Sequence, residues 1–205
     1  MIAKVCGMTR LTDALHAVQH GATALGFVFW PRSPRYVDPW RAAAIIKELP
    51  GTVTAVGVFV NQPVDDIQRI VVTTGITAIQ LHGDEPAAYA GALGWPVWRA
   101  VALQHADTTL PMWPPTTTIL LDAHDAALRG GTGRTIDWRS AARVAATRRV
   151  VLAGGLTPAN VQGAIETVRP EGVDVSSGVE QAPGVKDLDK VARFLERARA
   201  AFNAY

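Results

Sequence analysis

Eight short apolar runs recur along the chain with helix-like segments between them, and this alternation constrains the fold more than any other feature. The runs are IAKVC at 2–6, ALGFVF at 24–29, VTAVGVF at 53–59, TAIQL at 77–81, PVWRAV at 96–101, TTILLD at 117–122, RVVLAG at 149–154 and GVDVS at 172–176. Each is nearly continuous in apolar residues, as expected of a strand buried on both faces. Between them, Asp38-Pro39 opens WRAAAIIKEL and Thr157-Pro158 opens ANVQGAIETV; an N-cap oxygen followed by proline is a helix start. DALHAVQH, PVDDIQRIVVTT, AAYAGAL, WRSAARVAA and LDKVARFLERARAAF can each turn an apolar stripe toward a sheet. Alternating strands and helices imply a parallel sheet with right-handed crossovers. Eight such units in 205 residues fit a closed (β/α)8 TIM barrel at the short end of its range, with an open doubly wound sheet as the alternative. LQHADTTLPMWPP, at 103–115, is too rich in proline and threonine for a regular fifth helix, so that element is expected to be short or replaced by loop. No linker or composition shift divides the chain, which predicts a single domain over 1–205.

The chain is 48% hydrophobic, enough to bury a core without a metal or disulfide framework. Its net charge is +2 with arginines scattered along the helical segments, so no nucleic-acid footprint is expected, while a small anionic ligand is compatible. The single cysteine, Cys6, excludes an internal disulfide and a cysteine-rich metal site. No leader pattern and no apolar run of membrane-spanning length is found, so a cytoplasmic protein without membrane partner is the expectation.

In a closed parallel barrel the active site forms at the C-terminal ends of the strands. Those ends carry Cys6-Gly7, His82-Gly83, Asp122, Gly154-Gly155 and Ser176-Ser177-Gly178. The last two sets, after strands seven and eight, lie where such barrels bind phosphate: glycine lets backbone N–H groups approach an anion, and a short helix opening at Ser177 would add its positive end. Ordinary tight turns use glycine as well. Cys6 and Asp122 are candidates for a general base and a general acid, against a buried structural cysteine and a turn aspartate. A reference thiol near 8.5 costs about 2 kcal/mol to ionise at pH 7, and a carboxyl near 3.9 about 4 kcal/mol to protonate, so the surroundings must recover part of each cost. Lys4 points to the same side of its strand as Cys6, where it either favours the thiolate or pairs with Asp174. Arg35, in WPRSPRYVDP, offers a planar guanidinium to a carboxylate or an aromatic ring, or is a surface arginine. His82 is a pocket hydrogen-bond donor or a strand-end histidine satisfied by backbone. The glycine-rich GGTG of RGGTGRTIDW could close over a ligand or be a flexible turn. No His/Asp/Glu cluster suggests a metal.

The ordered segments KVCGMT, GFVFWPRSPRYV, VGVFVN, IQLHGDE, LLDA, GGTGRTIDW, LAGGLTPANV and VDVSSGVEQAPGVKD make the chain resemble the phosphoribosylanthranilate isomerases of tryptophan biosynthesis. The resemblance runs from residue 4 to about 187 and touches every strand but the fifth. It implies an eight-stranded barrel that performs an Amadori rearrangement of N-(5'-phosphoribosyl)anthranilate without cofactor or metal. By the same resemblance Asp122 protonates the furanose ring oxygen and Cys6 takes the C2 proton. Arg35 contacts the anthranilate moiety, Gly154, Gly155, Ser176, Ser177 and Gly178 bind phosphate, and His82 and Asp174 sit in matching motifs as substrate-binding candidates. The expected state is a monomer, with a dimer as the alternative.

Other readings are another phosphate-binding barrel enzyme or a non-catalytic phosphosugar-binding module. Indole-glycerol-phosphate synthase needs catalytic lysines, and apart from Lys4 the strands hold none. A pentose-phosphate epimerase typically holds a metal with histidines and aspartates, for which His82 and Asp122 are too few. A bifunctional isomerase would pair two aspartates, whereas Cys6 occupies the base position. A binding module would have no turnover to lose on substitution of Cys6 or Asp122.

Overall fold

The structure, a computed structural model, describes residues 1–122 and 137–204. Eight parallel strands close into a barrel in sequence order: β1 (Ile2–Cys6), β2 (Ala24–Val28), β3 (Thr54–Phe59), β4 (Ala78–Leu81), β5 (Val97–Ala102), β6 (Thr118–Asp122), β7 (Val150–Leu152) and β8 (Gly172–Val175). Closure comes from β1 pairing with β8, which sets Lys4 opposite Asp174. The open-sheet alternative is thereby excluded.

Strand pleating divides each run between two cores. Outward residues such as Ala3, Val5, Leu25, Phe27, Phe59, Ile79 and Leu81 pack under the helices. Inward residues Ala24, Val56, Ala78, Trp98, Leu120, Val151 and Ala153 fill the barrel axis, so both faces are apolar and the runs read as continuous. Above that layer the inward positions become Cys6, Val28 and Val58, with Gln80 beside Val58 by register. The interior thus changes from a packed plug to a lined mouth within one layer.

The outer ring comprises α1 (Leu11–Gln19), α2 (Pro39–Lys47), α3 (Val64–Thr74), α4 (Tyr89–Ala92), α5 (Ala106–Thr109), α6 (Trp138–Ala145), α7 (Val161–Val168) and α8 (Leu188–Phe202). Asp38 caps α2 as its sequence predicts, accepting from the N–H groups of Trp40 and Arg41. The fifth element is short, four residues of α-helix between two 3-10 turns. The expected start of the seventh helix moves: α7 begins at Val161, three residues beyond the Thr157-Pro158 signal. There the Asn160 side chain accepts from Thr157 N–H and donates to the Gly155 carbonyl, so residues 157–160 form a turn that ties the helix to the strand end. Between β8 and α8 lies a small antiparallel hairpin, β9 (Glu180–Ala182) and β10 (Val185–Lys186), which the apolar pattern does not announce. Among the described residues no helix is long and apolar enough to cross a membrane.

Candidate active site

A cavity of about 450 Å³ opens at the C-terminal end of the barrel. Every proposed site residue lines it: Cys6, Arg35, His82, Asp122, Gly154, Gly155, Asp174, Ser176, Ser177 and Gly178. The GGTG segment, residues 130–133, lies outside the described residues.

Cys6 ends β1 and is 8% exposed, enough to meet a ligand while its sulfur is held in an apolar and charged surround. Space for it comes from Gly26, the neighbouring inward position of β2, where a Cβ would lie 2.6 Å from Sγ. Burial pushes the Cys6 thiol above its ordinary value; Lys4 and Lys186 pull it back in part. Both sequence readings of Lys4 hold at once. Its Nζ donates to Asp174 Oδ1 at 3.0 Å with the lysine fully buried, and its charge also favours the Cys6 thiolate. Burial alone would lower Lys4, but Asp174 and then Cys6 outweigh it and hold the ammonium above its ordinary value. Asp174 is pushed up by burial, with Lys4 opposing.

Asp122 ends β6 with 7% of its surface exposed. The Nε2 of His82 lies 3.7 Å from Asp122 Oδ2, and the other ring nitrogen, Nδ1, is 3.0 Å from Nε2 of Gln80. Gln80 was not singled out from sequence. An amide at an inward position of a buried strand is the signal that could have found it, because a polar group there must serve a partner.

The turn after β7 places Gly154 at φ 82° and Gly155 at φ 64°, consecutive left-handed conformations that glycine alone adopts freely. The backbone N–H groups of these two glycines stand at the cavity, where an anion could reach them. Neither N–H bonds another group among the described residues. Across from them Ser177–Val179 makes the short 3-10 turn expected after β8. A Cβ at Gly178 would collide with the Leu156 carbonyl, so only glycine lets the two turns approach. The Ser176 hydroxyl donates to the Cys6 carbonyl at 3.2 Å, linking the turn after β8 to the end of β1.

Arg35 reaches the mouth from the loop after β2 but is not free. Its Nε and Nη2 grip Glu180, with Nη2 to Oε2 at 2.7 Å, and Glu180 in turn receives Lys186 Nζ at 2.8 Å. Sequence reasoning missed both partners, since they sit in the hairpin and act across long separations. Among the described residues no group of three or more His, Cys, Asp or Glu could hold a metal ion.

A packed barrel mouth with a buried thiol, a carboxyl and two glycine turns suits acid–base chemistry on a small anionic substrate, and comparison with known proteins decides which. The family model for N-(5'phosphoribosyl)anthranilate (PRA) isomerase matches residues 3–197. The chain belongs to this family. An N-(5'-phosphoribosyl)anthranilate isomerase of Geobacter sp. (strain M21) is 47% identical over 198 residues, covering 96% of this chain and 97% of the relative. A crystal structure of monomers of the dimeric Thermotoga maritima enzyme superposes with a TM-score of 0.86 at 40% identity, covering 98% of this chain and 100% of that one. A phosphoribosyl anthranilate isomerase in complex with reduced 1-(o-carboxyphenylamino)-1-deoxyribulose 5-phosphate gives 0.87 at 40% identity, with the same coverages. Membership in the family removes the synthase and epimerase alternatives.

Proposed function

We propose that this cavity isomerises N-(5'-phosphoribosyl)anthranilate to 1-(2-carboxyphenylamino)-1-deoxyribulose 5-phosphate, a step of tryptophan biosynthesis, with Asp122 as general acid and Cys6 as general base. The observation that carries the reading is one cavity lined by Cys6, Asp122, Arg35 and both glycine turns, in a chain of this family. Asp122 gives a proton to the furanose ring oxygen as the C1–O bond breaks and the nitrogen lone pair forms a Schiff base. The Cys6 thiolate then removes the C2 proton, the C2–H electrons form the C1–C2 double bond, and the enolamine tautomerises to the ketone. Oxidation at C2 is matched by reduction at C1 within one molecule, so no redox cofactor is called for, and the acid–base steps draw on no metal.

The anion nest at Gly154-Gly155, with Ser176, Ser177 and Gly178, is the proposed phosphate seat. Arg35 faces the anthranilate carboxylate, and Asp174 and His82 bind and orient the sugar beside Cys6 and Asp122. Anchoring both ends of the substrate converts binding into orientation, which is where such sites gain much of their rate. The lone thiol must stay reduced to act as a base, which favours the cytoplasm. A single chain supplies every described residue that lines the cavity, which supports a monomeric enzyme, and sedimentation of the purified chain tests monomer against dimer.

The deciding experiment follows the fluorescence of freshly generated phosphoribosylanthranilate under metal-free conditions with the wild-type chain, Cys6→Ser and Asp122→Asn. Rapid loss that falls by at least ~10²-fold in each variant is the expected result. Loss no faster than the spontaneous background, from folded wild-type protein, would sink the assignment.

A further inference from the structure

The hairpin after β8 brings two buried charges to the barrel mouth that the mechanism above leaves unused. Glu180 presents a side chain only 4% exposed, and Lys186 one that is fully buried. Burying either without compensation would cost several kcal/mol, so their arrangement calls for a purpose beyond packing. Lys186 Nζ donates to the Cys6 carbonyl at 2.6 Å and to Glu180 Oε1 at 2.8 Å, and approaches the Ser176 carbonyl at 3.4 Å. It is therefore pinned to the strand end that carries the base and to the turn beside the proposed phosphate seat. Glu180 also accepts from Arg35, taking Nε at 3.0 and 3.1 Å and Nη2 at 2.7 Å, and from the Gly184 N–H at 3.3 Å. Arg35 Cδ meanwhile lies only 2.7 Å from where a Cβ on Gly7 would be, so the arginine stem crosses the backbone immediately after Cys6.

We propose that Glu180 is a positioning residue for substrate recognition: braced by Lys186, it holds the Nε–Nη2 edge of Arg35 so that the other edge of the guanidinium faces the aromatic carboxylate. The inference rests on the assignment of Arg35 to that carboxylate and goes beyond it by naming what aims the arginine. A guanidinium has five N–H donors in a fixed plane, so fixing one edge fixes the direction of the other. Nη1 and the second Nη2 proton are the donors not spent on Glu180, and Arg35 lines the cavity. The charge arithmetic agrees. Lys186 and Glu180 cancel, leaving the positive charge of Arg35 for the carboxylate. Because Lys186 also holds the Cys6 carbonyl, the carboxylate site and the base share one rigid frame.

Calorimetry of two stable product-like ligands tests this: reduced 1-(2-carboxyphenylamino)-1-deoxyribulose 5-phosphate, and the phenylamino counterpart without the ring carboxylate. Wild type is expected to prefer the carboxylate ligand by ~10-fold or more, as a hydrogen-bonded charged contact would give. In Glu180→Gln one of the two cations faces an amide N–H instead of an oxygen. The preference is expected to shrink about 5-fold or more while affinity for the carboxylate-free ligand changes less than about 2-fold, and in turnover KM rises with kcat nearly kept. An undiminished preference in a folded Glu180→Gln, or equal loss for both ligands, overturns the positioning role. Absence of any preference in wild type overturns instead the Arg35 assignment, and this inference with it. Should the glutamine variant not fold, Glu180→Asp retains the buried charge with a shorter reach; partial loss of preference supports the role and full retention overturns it.

Discussion

Lys4 and Asp174 meet at 3.0 Å inside the barrel, one inward position below Cys6 on β1. The pair sits at the closure between the first and last strands, so it is at once a staple and a source of field at the Cys6 thiol. Removing one partner leaves the other charge buried and alone, which typically costs 3–5 kcal/mol. Lys4→Met and Asp174→Asn should each lower the unfolding free energy by about that much, and the double variant by clearly less than their sum. A double-mutant cycle by urea denaturation measures the coupling. Strict additivity would mean that the two do not act as a pair.

The direction of the Cys6 shift sets a pH dependence. Burial favours the neutral thiol, so the folded chain holds a proton that the unfolded chain releases near pH 8.5. By linkage, the fold loses stability as pH rises above about 8.5, and Cys6→Ala should remove that loss. Catalysis runs the other way: a base is active as thiolate, so kcat/KM should keep rising through pH 8.5 in wild type. Thermal unfolding and initial rates between pH 7 and 10 report the two trends; a rate already level at pH 7.5 would show that the free thiol is not the titrating base.

Gly26 faces Cys6 across the β1–β2 ladder with no room for a methyl group. Gly26→Ala must displace either the thiol or the strand. Overpacking of this kind costs about 1–3 kcal/mol of stability. Displacing the base should cut kcat by ~10²-fold, since a shift of about 1 Å is enough to do so. Wild-type turnover in Gly26→Ala would place the reacting group elsewhere.

The strands were legible because each is sandwiched between the barrel axis and the helix ring, which forces continuous apolar runs such as Val56 to Phe59. The candidate residues were legible for a topological reason: a parallel barrel builds its cavity at the C-terminal strand ends, and Cys6 and Asp122 stand there. The start of α7 was misplaced because Thr157-Pro158 carries the chemistry of a cap, while the Asn160 side chain, bonded locally to the Thr157 N–H and the Gly155 carbonyl, holds those residues in a turn. Glu180 and Lys186 escaped notice because their meaning is wholly non-local. In sequence they are ordinary charges in a polar hairpin, while Arg35 lies 145 residues from Glu180 and Cys6 lies 180 from Lys186.

Gln80 and His82 both face the cavity from the β4 end, with Gln80 Nε2 3.0 Å from His82 Nδ1. With the amide N–H toward Nδ1, that nitrogen accepts and Nε2 carries the proton on the side of Asp122, 3.7 Å away. Nitrogen-15 spectra of labelled wild type should show the Nε2–H form. Gln80→Leu should mix the tautomers and lower kcat by about 10-fold, with little change in KM. An Nδ1–H form in wild type would reverse the amide and the assignment of the donor.

The two left-handed glycines after β7 make the last prediction. Gly155, at φ 64°, can be replaced by alanine only at a backbone cost of roughly 1–2 kcal/mol, or by letting the turn relax out of the left-handed region. Relaxation swings an N–H out of the nest, so Gly155→Ala should weaken inhibition by inorganic phosphate about 10-fold or more and raise KM. Because the turn makes no contact with the proton being transferred, kcat should fall less than KM rises. Gly75, also left-handed but at the C-terminal end of α3, is the control: Gly75→Ala has the same backbone penalty yet lies in a helix cap, so it should cost stability and leave phosphate inhibition unchanged. Equal effects of the two substitutions on phosphate inhibition would show that the Gly154-Gly155 turn serves the fold rather than the anion.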